Sequence, residues 1–307
     1  RNEINKTTYN SWRSQTAALP HWVYTGEEYS YDRENEFALP ALFVKYTPFQ
    51  WLTLRYASTK TLTRPNYSSI IPLYEWSGVG NSVDYRTPDL VPGVSDNIDY
   101  NISVNNNYLG FFSVGFFEKS IADLIFSGGR RIIIDPDDFG LPAGTKNGLI
   151  QNYTSNNPFP VSLKGMELDW QTRFWYLPGM LSGLVLNANY TVIESEVTYP
   201  RTVIDSKIDW STFPPVVTKS NIDTSYVDRL IDQPNQIMNV SIGYDYKGFS
   251  GRLSMLHKSN IFMSTNFWPE LRVNTDDYTR WDLSVKQELP IKGLSVFLNV
   301  NNITETV

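Results

Sequence analysis

The stretch Gly165–Thr191, GMELDWQTRFWYLPGMLSGLVLNANYT, decides the fold of this chain. Side chains of an extended strand alternate between two faces. Met166, Leu168, Trp170, Phe174 and Tyr176 then share one face, and Glu167, Asp169, Gln171 and Arg173 share the other. Leu177-Pro178-Gly179 breaks the strand, because proline removes a ladder donor and glycine permits a turn. The alternation resumes with Leu184, Leu186, Ala188, Tyr190 and Val192 against Asn187, Asn189 and Thr191. One face is apolar, the other carries charge, and Phe174, Trp175 and Tyr176 gather beside the turn. A transmembrane β-hairpin between lipid and a wet lumen has this pattern. A half-buried sheet in a soluble sandwich also alternates, so period two alone does not separate the two.

The flanking sequence separates them. A first strand is expected over about 37–46, with Pro40 marking a bulge or a locally weakened ladder. A second over about 51–60 sets Leu52, Leu54 and Tyr56 against Thr53, Arg55 and Thr59. Ile98, Tyr100, Ile102 and Val104 oppose Asp99, Asn101 and Ser103, and the strand after Asn107 carries Phe112, Val114 and Phe116 on its outer face. Met238, Val240, Ile242, Tyr244 and Tyr246 precede a tight Lys247-Gly248 turn, after which Leu253 and Met255 oppose Arg252, Ser254 and Lys258. Trp281, Leu283 and Val285 oppose Arg280, Asp282, Ser284 and Lys286, and Leu294, Val296, Leu298 and Val300 oppose Ser295, Asn299 and Asn301. This predicts about ten strands in five hairpins. Leu168, Leu186, Ile242, Leu283 and Leu298 are expected to face lipid, and Asp169, Asn187, Ser241, Asp282 and Asn299 the lumen.

Connections within hairpins are short. Those between hairpins, about 61–96, 121–160, 198–235 and 260–276, are expected to be long loops, and residues 1–36 a loop or an irregular outer strand extension. Long loops at one end and short turns at the other are the habit of outer-membrane barrels. Tyr46, Phe49, Trp51, Phe174, Trp175, Tyr176, Tyr246 and Phe249 crowd the short-turn end, as an interfacial aromatic belt would. The fold class expected is all-β, a transmembrane antiparallel up-and-down barrel.

Composition narrows the function. No run of about 18 apolar residues exists, which excludes transmembrane helices but not alternating strands. The 307 residues contain no cysteine, so neither a disulfide framework nor a thiolate metal site is available. With 26 basic and 32 acidic residues and no basic stripe, a nucleic-acid partner is not expected. The chain starts at Arg1 without a signal-peptide pattern, placing any such peptide outside these residues.

Four stretches together resemble the C-terminal half of the barrel of a TonB-dependent outer-membrane receptor. They are LRYASTKTLTRPNYSSIIP (Leu54–Pro72), TPDLVPGVSDNIDYNISV continuing into GFFSVGFFEKSIADLI, the Gly165–Thr191 hairpin, and WDLSVKQELPIKGLSVFLNVNNIT. The resemblance implies a barrel of about 22 strands with a plugged lumen. Residues 1–307 are then a partial C-terminal portion of one barrel domain, with the plug domain, the TonB-contacting segment and the final strand outside the chain. It implies multi-pass location in the cell outer membrane and active import of a scarce bulky nutrient, a metal chelate or a glycan. Implied partners are membrane lipid, the receptor's own plug domain, an inner-membrane TonB complex reached through a segment not in this chain, and an accessory surface lipoprotein. A passive porin or secretion channel and a soluble carbohydrate-binding β-sandwich remain the alternatives.

His21 and His257 are the only histidines, and neither a zinc pattern, Gly-x-Ser-x-Gly nor a phosphate loop occurs. Glu167 and Asp169 read as lumen polarity, and Asp135, Asp137 and Asp138 as a solvated loop lacking the glycine and glutamate of an EF-hand. No enzyme and no cofactor are expected. Binding falls instead to loop aromatics, Tyr74, Trp76, Tyr85, Trp210, Phe213, Phe267 and Trp268, whose rigid rings stack on planar chelates or sugars.

Overall fold

The computed structural model describes residues 2–14, 22–70, 74–77, 82–85, 89–134, 148–265 and 269–305. The chain begins with β1 (Asn2–Ser14), β2 (Trp22–Glu36), β3 (Ala41–Phe49) and β4 (Leu52–Thr63), followed by a one-turn helix at Tyr67–Ile70. Next come β5 (Tyr74–Ser77), β6 (Ser82–Tyr85), β7 (Gly93–Asn106), β8 (Gly110–Ala122), β9 (Ile125–Ile132), β10 (Ile150–Asn156) and β11 (Val161–Arg173). The remainder is β12 (Leu184–Asp209), β13 (Val216–Asp228), β14 (Gln236–Tyr246), β15 (Phe249–Lys258), β16 (Phe262–Ser264), β17 (Val273–Asn274), β18 (Tyr278–Glu288) and β19 (Ser295–Val300). Among the described residues, no helix is long and apolar enough to cross a membrane, which leaves membrane-spanning strands open.

Ten strands form one antiparallel wall in the order β3-β4-β7-β8-β11-β12-β14-β15-β18-β19, each paired with the next. These are the strands expected from the alternation. Their links are short at one end, as at Lys247-Gly248, where φ values of 48° and 79° fit the left-handed backbone of a tight hairpin. Among the described residues the sheet ends at β3 and β19 without closing on itself.

Register fixes the two faces. Leu54, Ile102, Val114, Leu168, Tyr190 and Met238 stand in one cross-strand row. Leu186, Ile242, Leu253, Leu283 and Val300 form another. One step along, Asn187, Ser241, Ser254 and Asp282 form a row on the opposite, polar face. The apolar face remains open, with Tyr100, Ile102, Phe116, Ile242 and Leu298 each at least half exposed. At the short-turn end Phe49 stacks on Trp51 at 5.3 Å, and Tyr108 meets Trp175 at 5.7 Å and Tyr176 at 5.6 Å. The indoles of Trp170 and Trp175 donate to the carbonyls of Leu109 and Asn107, so apolar rings keep their polar edges satisfied.

Three expectations need correction. The first wall strand begins at Ala41, after Pro40, and its register slips between Tyr46 and Phe49. Pro48 lies in that slip, where a missing N–H is tolerated. Within the stretch 1–36, the described residues are not an irregular extension, because β1 and β2 pair antiparallel. The long connections are not simple loops either. They contribute a four-stranded sheet, β5-β6-β10-β9, and the β12–β13 hairpin.

These connections build a second layer above the wall. β12 runs for 26 residues, about 85 Å at 3.3 Å per residue and far more than the 9–11 residues a membrane strand needs. Its lower part pairs with β11 and β14, and its upper part with β13. Between the pairs Val197–Asp228 and Val192–Gln236, eight steps of the returning chain face five of β12. The surplus, residues 229–235, folds inward onto a core of Phe126, Val161, Val197, Tyr199 and Phe262. Odd-numbered positions of β11 and β12 face the polar side of the wall, so Val161, Val197 and Tyr199 place this core over that side. The layer is a roof.

Candidate ligand-capture site

The polar face and the roof define the site. Along the wall, Arg55 donates to Ser103 at 3.1 Å and Asn101 donates to Ser113 at 2.8 Å. Farther round, Ser254 donates to Ser241 at 2.9 Å, Arg280 to Asp282 at 3.0 Å, and Ser284 to Asn299 at 2.7 Å. Asp169, Gln171, Asn189, Asn239, Arg280 and Asp282 line an open groove of about 320 Å³. Polar side chains that satisfy one another in this way hold a wet surface in shape without drying it.

Tyr199 is the hub of the roof. It is fully buried, with ring centres of Phe126, Tyr226 and Phe262 at 5.3, 5.6 and 6.0 Å. Its hydroxyl donates to the Arg229 carbonyl at 3.0 Å and accepts from the Ile231 amide at 3.1 Å. Burial pushes this hydroxyl above the ordinary tyrosine range, so it stays protonated and able to donate. Arg229 reaches the Asn260 carbonyl at 3.0 Å and Asn274 at 2.9 Å, and Arg272 pairs with Asp228. The connections after β12 and β15 are thereby tied together.

Side-chain amides tie in the other two. Asn156 donates to the carbonyls of Val91 and Asp123, both at 2.8 Å, and accepts from the Val91 amide. Asn221 on β13 donates to the Ile132 carbonyl at 2.9 Å and accepts from its amide at 3.0 Å, imitating a partner strand at the edge of β9. β6 and β10 pair in parallel, Ser82 opposite Ile150. Tyr199, Asn156, Asn221 and Arg229 are not among the site residues expected from the sequence.

Of the aromatics proposed from the sequence, Tyr74 and Tyr85 occupy paired positions on β5 and β6, with Trp76 opposite Val83. The side chains of Tyr74, Trp76 and Tyr85 lie outside the described residues, as do Phe267, Trp268 and Asp135–Asp138. Trp210 and Phe213 sit in the turn between β12 and β13, 75% and 100% exposed. Ser211 fixes that turn by donating its amide and hydroxyl to Asp209 at 2.8 and 2.6 Å, which holds the carboxyl below its ordinary range. The hairpin end, Asp209–Val216, is five pairs beyond Ile204–Asn221, so the two exposed rings stand about 17 Å past the contact with β9. The structure therefore brings Tyr74 and Tyr85 together on one sheet and sets Trp210 and Phe213 apart on a projecting tip. Among the described residues, no three or more His, Asp and Glu side chains converge as a metal site.

A family model described as TonB dependent receptor-like, beta-barrel, matches residues 1–303. No curated protein sequence matches the chain. Among solved structures, a mutant ferric enterobactin receptor, PfeA of Pseudomonas aeruginosa, superposes with TM-score 0.55 at 15% identity, covering 90% of this chain and 36% of that one. The hemophore receptor HasR of Serratia marcescens, in complex with its hemophore HasA and heme, gives 0.59 at 14% identity, covering 99% and 44%. The siderophore receptor PiuA of Acinetobacter baumannii gives 0.57 at 12% identity, covering 92% and 34%. At these identities the likeness is one of fold. The chain spans about a third to under half the length of these receptors.

Proposed function

Since this chain belongs to the TonB-dependent receptor β-barrel family, we propose that it forms part of the wall and mouth of an outer-membrane receptor that imports a bulky nutrient. The apolar face meets lipid, the polar face lines the lumen, and the roof receives the ligand. A metal chelate is the favoured ligand, since the solved neighbours are described as siderophore and heme-linked receptors. Energy comes from an inner-membrane TonB complex acting on a plug, both outside these residues, and an accessory surface lipoprotein is a further partner. The family transports rather than catalyses.

The observation that carries this reading is the change of sides along β12. Within the wall its polar residues Asn187, Asn189 and Thr191 share the face that, above the wall, holds buried Val197 and Tyr199. A strand that passes from a lipid-faced wall into a roof over the lumen has this reversal.

The test is uptake by the full-length protein in cells lacking other iron-chelate receptors. Labelled ferric chelates, heme and oligosaccharides are supplied with and without a working TonB complex. Uptake of one class that stops when TonB is removed is expected. Uptake indifferent to TonB would instead make the protein a passive channel.

A further inference from the structure

Opposed forces act on residues 229–235, the surplus segment between β13 and β14. Backbone amides hold it to the roof. Leu230 donates to the Ser195 hydroxyl at 2.9 Å, Ile231 to the Tyr199 hydroxyl at 3.1 Å, and Asp232 to the Phe262 carbonyl at 2.8 Å. The side chains of Leu230 and Ile231 pack on the core around Tyr199. Costs gather at the next positions. Asp232 has φ of 61°, a left-handed backbone that residues other than glycine adopt at a penalty. Gln233 is only 8% exposed, and neither its Oε1 nor its Nε2 meets a protein partner. The Asn235 Oδ1 is buried and equally unpartnered. A buried amide in this position has given up water and gained no hydrogen bond in return.

Lifting the middle of the segment off the roof relieves all three costs, since Asp232 is free to relax and both amides meet water. The ends need not move. Arg229 is tied to the Asn260 carbonyl and to Asn274, and the Asn235 carbonyl accepts from the Ile193 amide of β12 at 2.8 Å. We infer that residues 229–235 are a two-state strap, held closed by Tyr199 and biased toward opening by Gln233. Closed, the strap lies over the polar side of the wall. Open, it uncovers that side and presents the Gln233 and Asn235 amides to it. The lumen on which the strap opens rests on the function proposed above, whereas its two states do not.

The test is amide hydrogen exchange on the full-length protein in detergent micelles, read at Leu230, Ile231 and Asp232 with Val240 as the reference. Gln233→Met keeps the length of the side chain and removes the unpartnered atoms. It is expected to slow exchange at all three amides about tenfold and to leave Val240 unchanged. Gln233→Leu repeats the test with a branched side chain of different shape. Gln233→Glu buries a charge at the same place and is expected to speed the three amides at least about tenfold at neutral pH. Unchanged or faster exchange in both Q233M and Q233L overturns the strap, as does unchanged exchange in Q233E. Slowing confined to one of the three amides also overturns it, because a single strap opens as one unit. The lumen reading is tested separately by arginine at Val240 against Ser241. If Val240→Arg inserts as well as Ser241→Arg while the three amides respond as expected, the strap stands and the lumen reading falls.

Discussion

Replacing Tyr199 by phenylalanine keeps the ring against Phe126, Tyr226 and Phe262 and removes a single oxygen. That oxygen is the partner of the Ile231 amide and the Arg229 carbonyl. A buried backbone group left without a partner costs about 1–3 kcal/mol. Taking about 2 kcal/mol for the amide, and discounting the carbonyl because it has a second lone pair, residues 229–235 should open roughly thirtyfold more often. Amide hydrogen exchange on the full-length protein reads this directly. The Ile231 and Asp232 amides, the latter bonded to the Phe262 carbonyl at 2.8 Å, should exchange about thirtyfold faster in Y199F. Val240, in the wall, should not change. Unaltered protection at Ile231 refutes the hub, and equal loss at Val240 shows that roof and wall are one cooperative unit. The pH dependence follows from the raised hydroxyl. Tyr199 titrates higher in the folded roof than in an unfolded chain, so its contribution is complete below the ordinary value of about 10 and declines as pH rises beyond it. Y199F lacks this alkaline loss.

The wall and the tip give three more tests. Val240→Arg should cost roughly 2–4 kcal/mol on the outer face and Ser241→Arg much less on the polar face, as read by the folded fraction recovered in membranes. Gly110→Ala should lower that fraction sharply, because Gly110 has φ of 73° and an added Cβ would run into the backbone of Gln171 and Thr172. If Trp210 and Phe213 contact ligand, alanine at each should weaken binding roughly two- to twelvefold, matching about 0.5–1.5 kcal/mol per ring contact. Unchanged affinity at both, with normal amounts of folded barrel, removes the tip from the site.

The wall was legible because each strand's sides answer to two different solvents, so Leu186 and Asn187 need no distant partner to declare their faces. The roof was not. β10 finds β6 in parallel 68 residues back along the chain, and four-residue strands such as β6 carry too short a pattern to read. Asn221 and Asn156 act by imitating backbone, and nothing in their identity distinguishes them from other loop asparagines. Tyr199 did leave a trace. Along β12 the apolar positions change parity, from Leu186, Tyr190 and Val192 to Val197 and Tyr199, without a break in the strand. In a membrane wall such a reversal marks where the chain leaves lipid and begins a core of its own.

The order of strands in the wall also carries a history of assembly. Each wall strand pairs with its nearest wall neighbour in the chain, so each hairpin can close across its short turn as it emerges and then join the preceding one through a longer connection. The roof cannot follow that schedule. Its parallel β6–β10 pairing and the Tyr199 hub need segments from four successive connections to be present together. Maturation therefore has two stages, an early ribbon and a late cap. Cysteines introduced at facing positions 240 and 255 should cross-link in newly inserted protein before a pair at 82 and 150 does, and the reverse order would contradict the sequence of events.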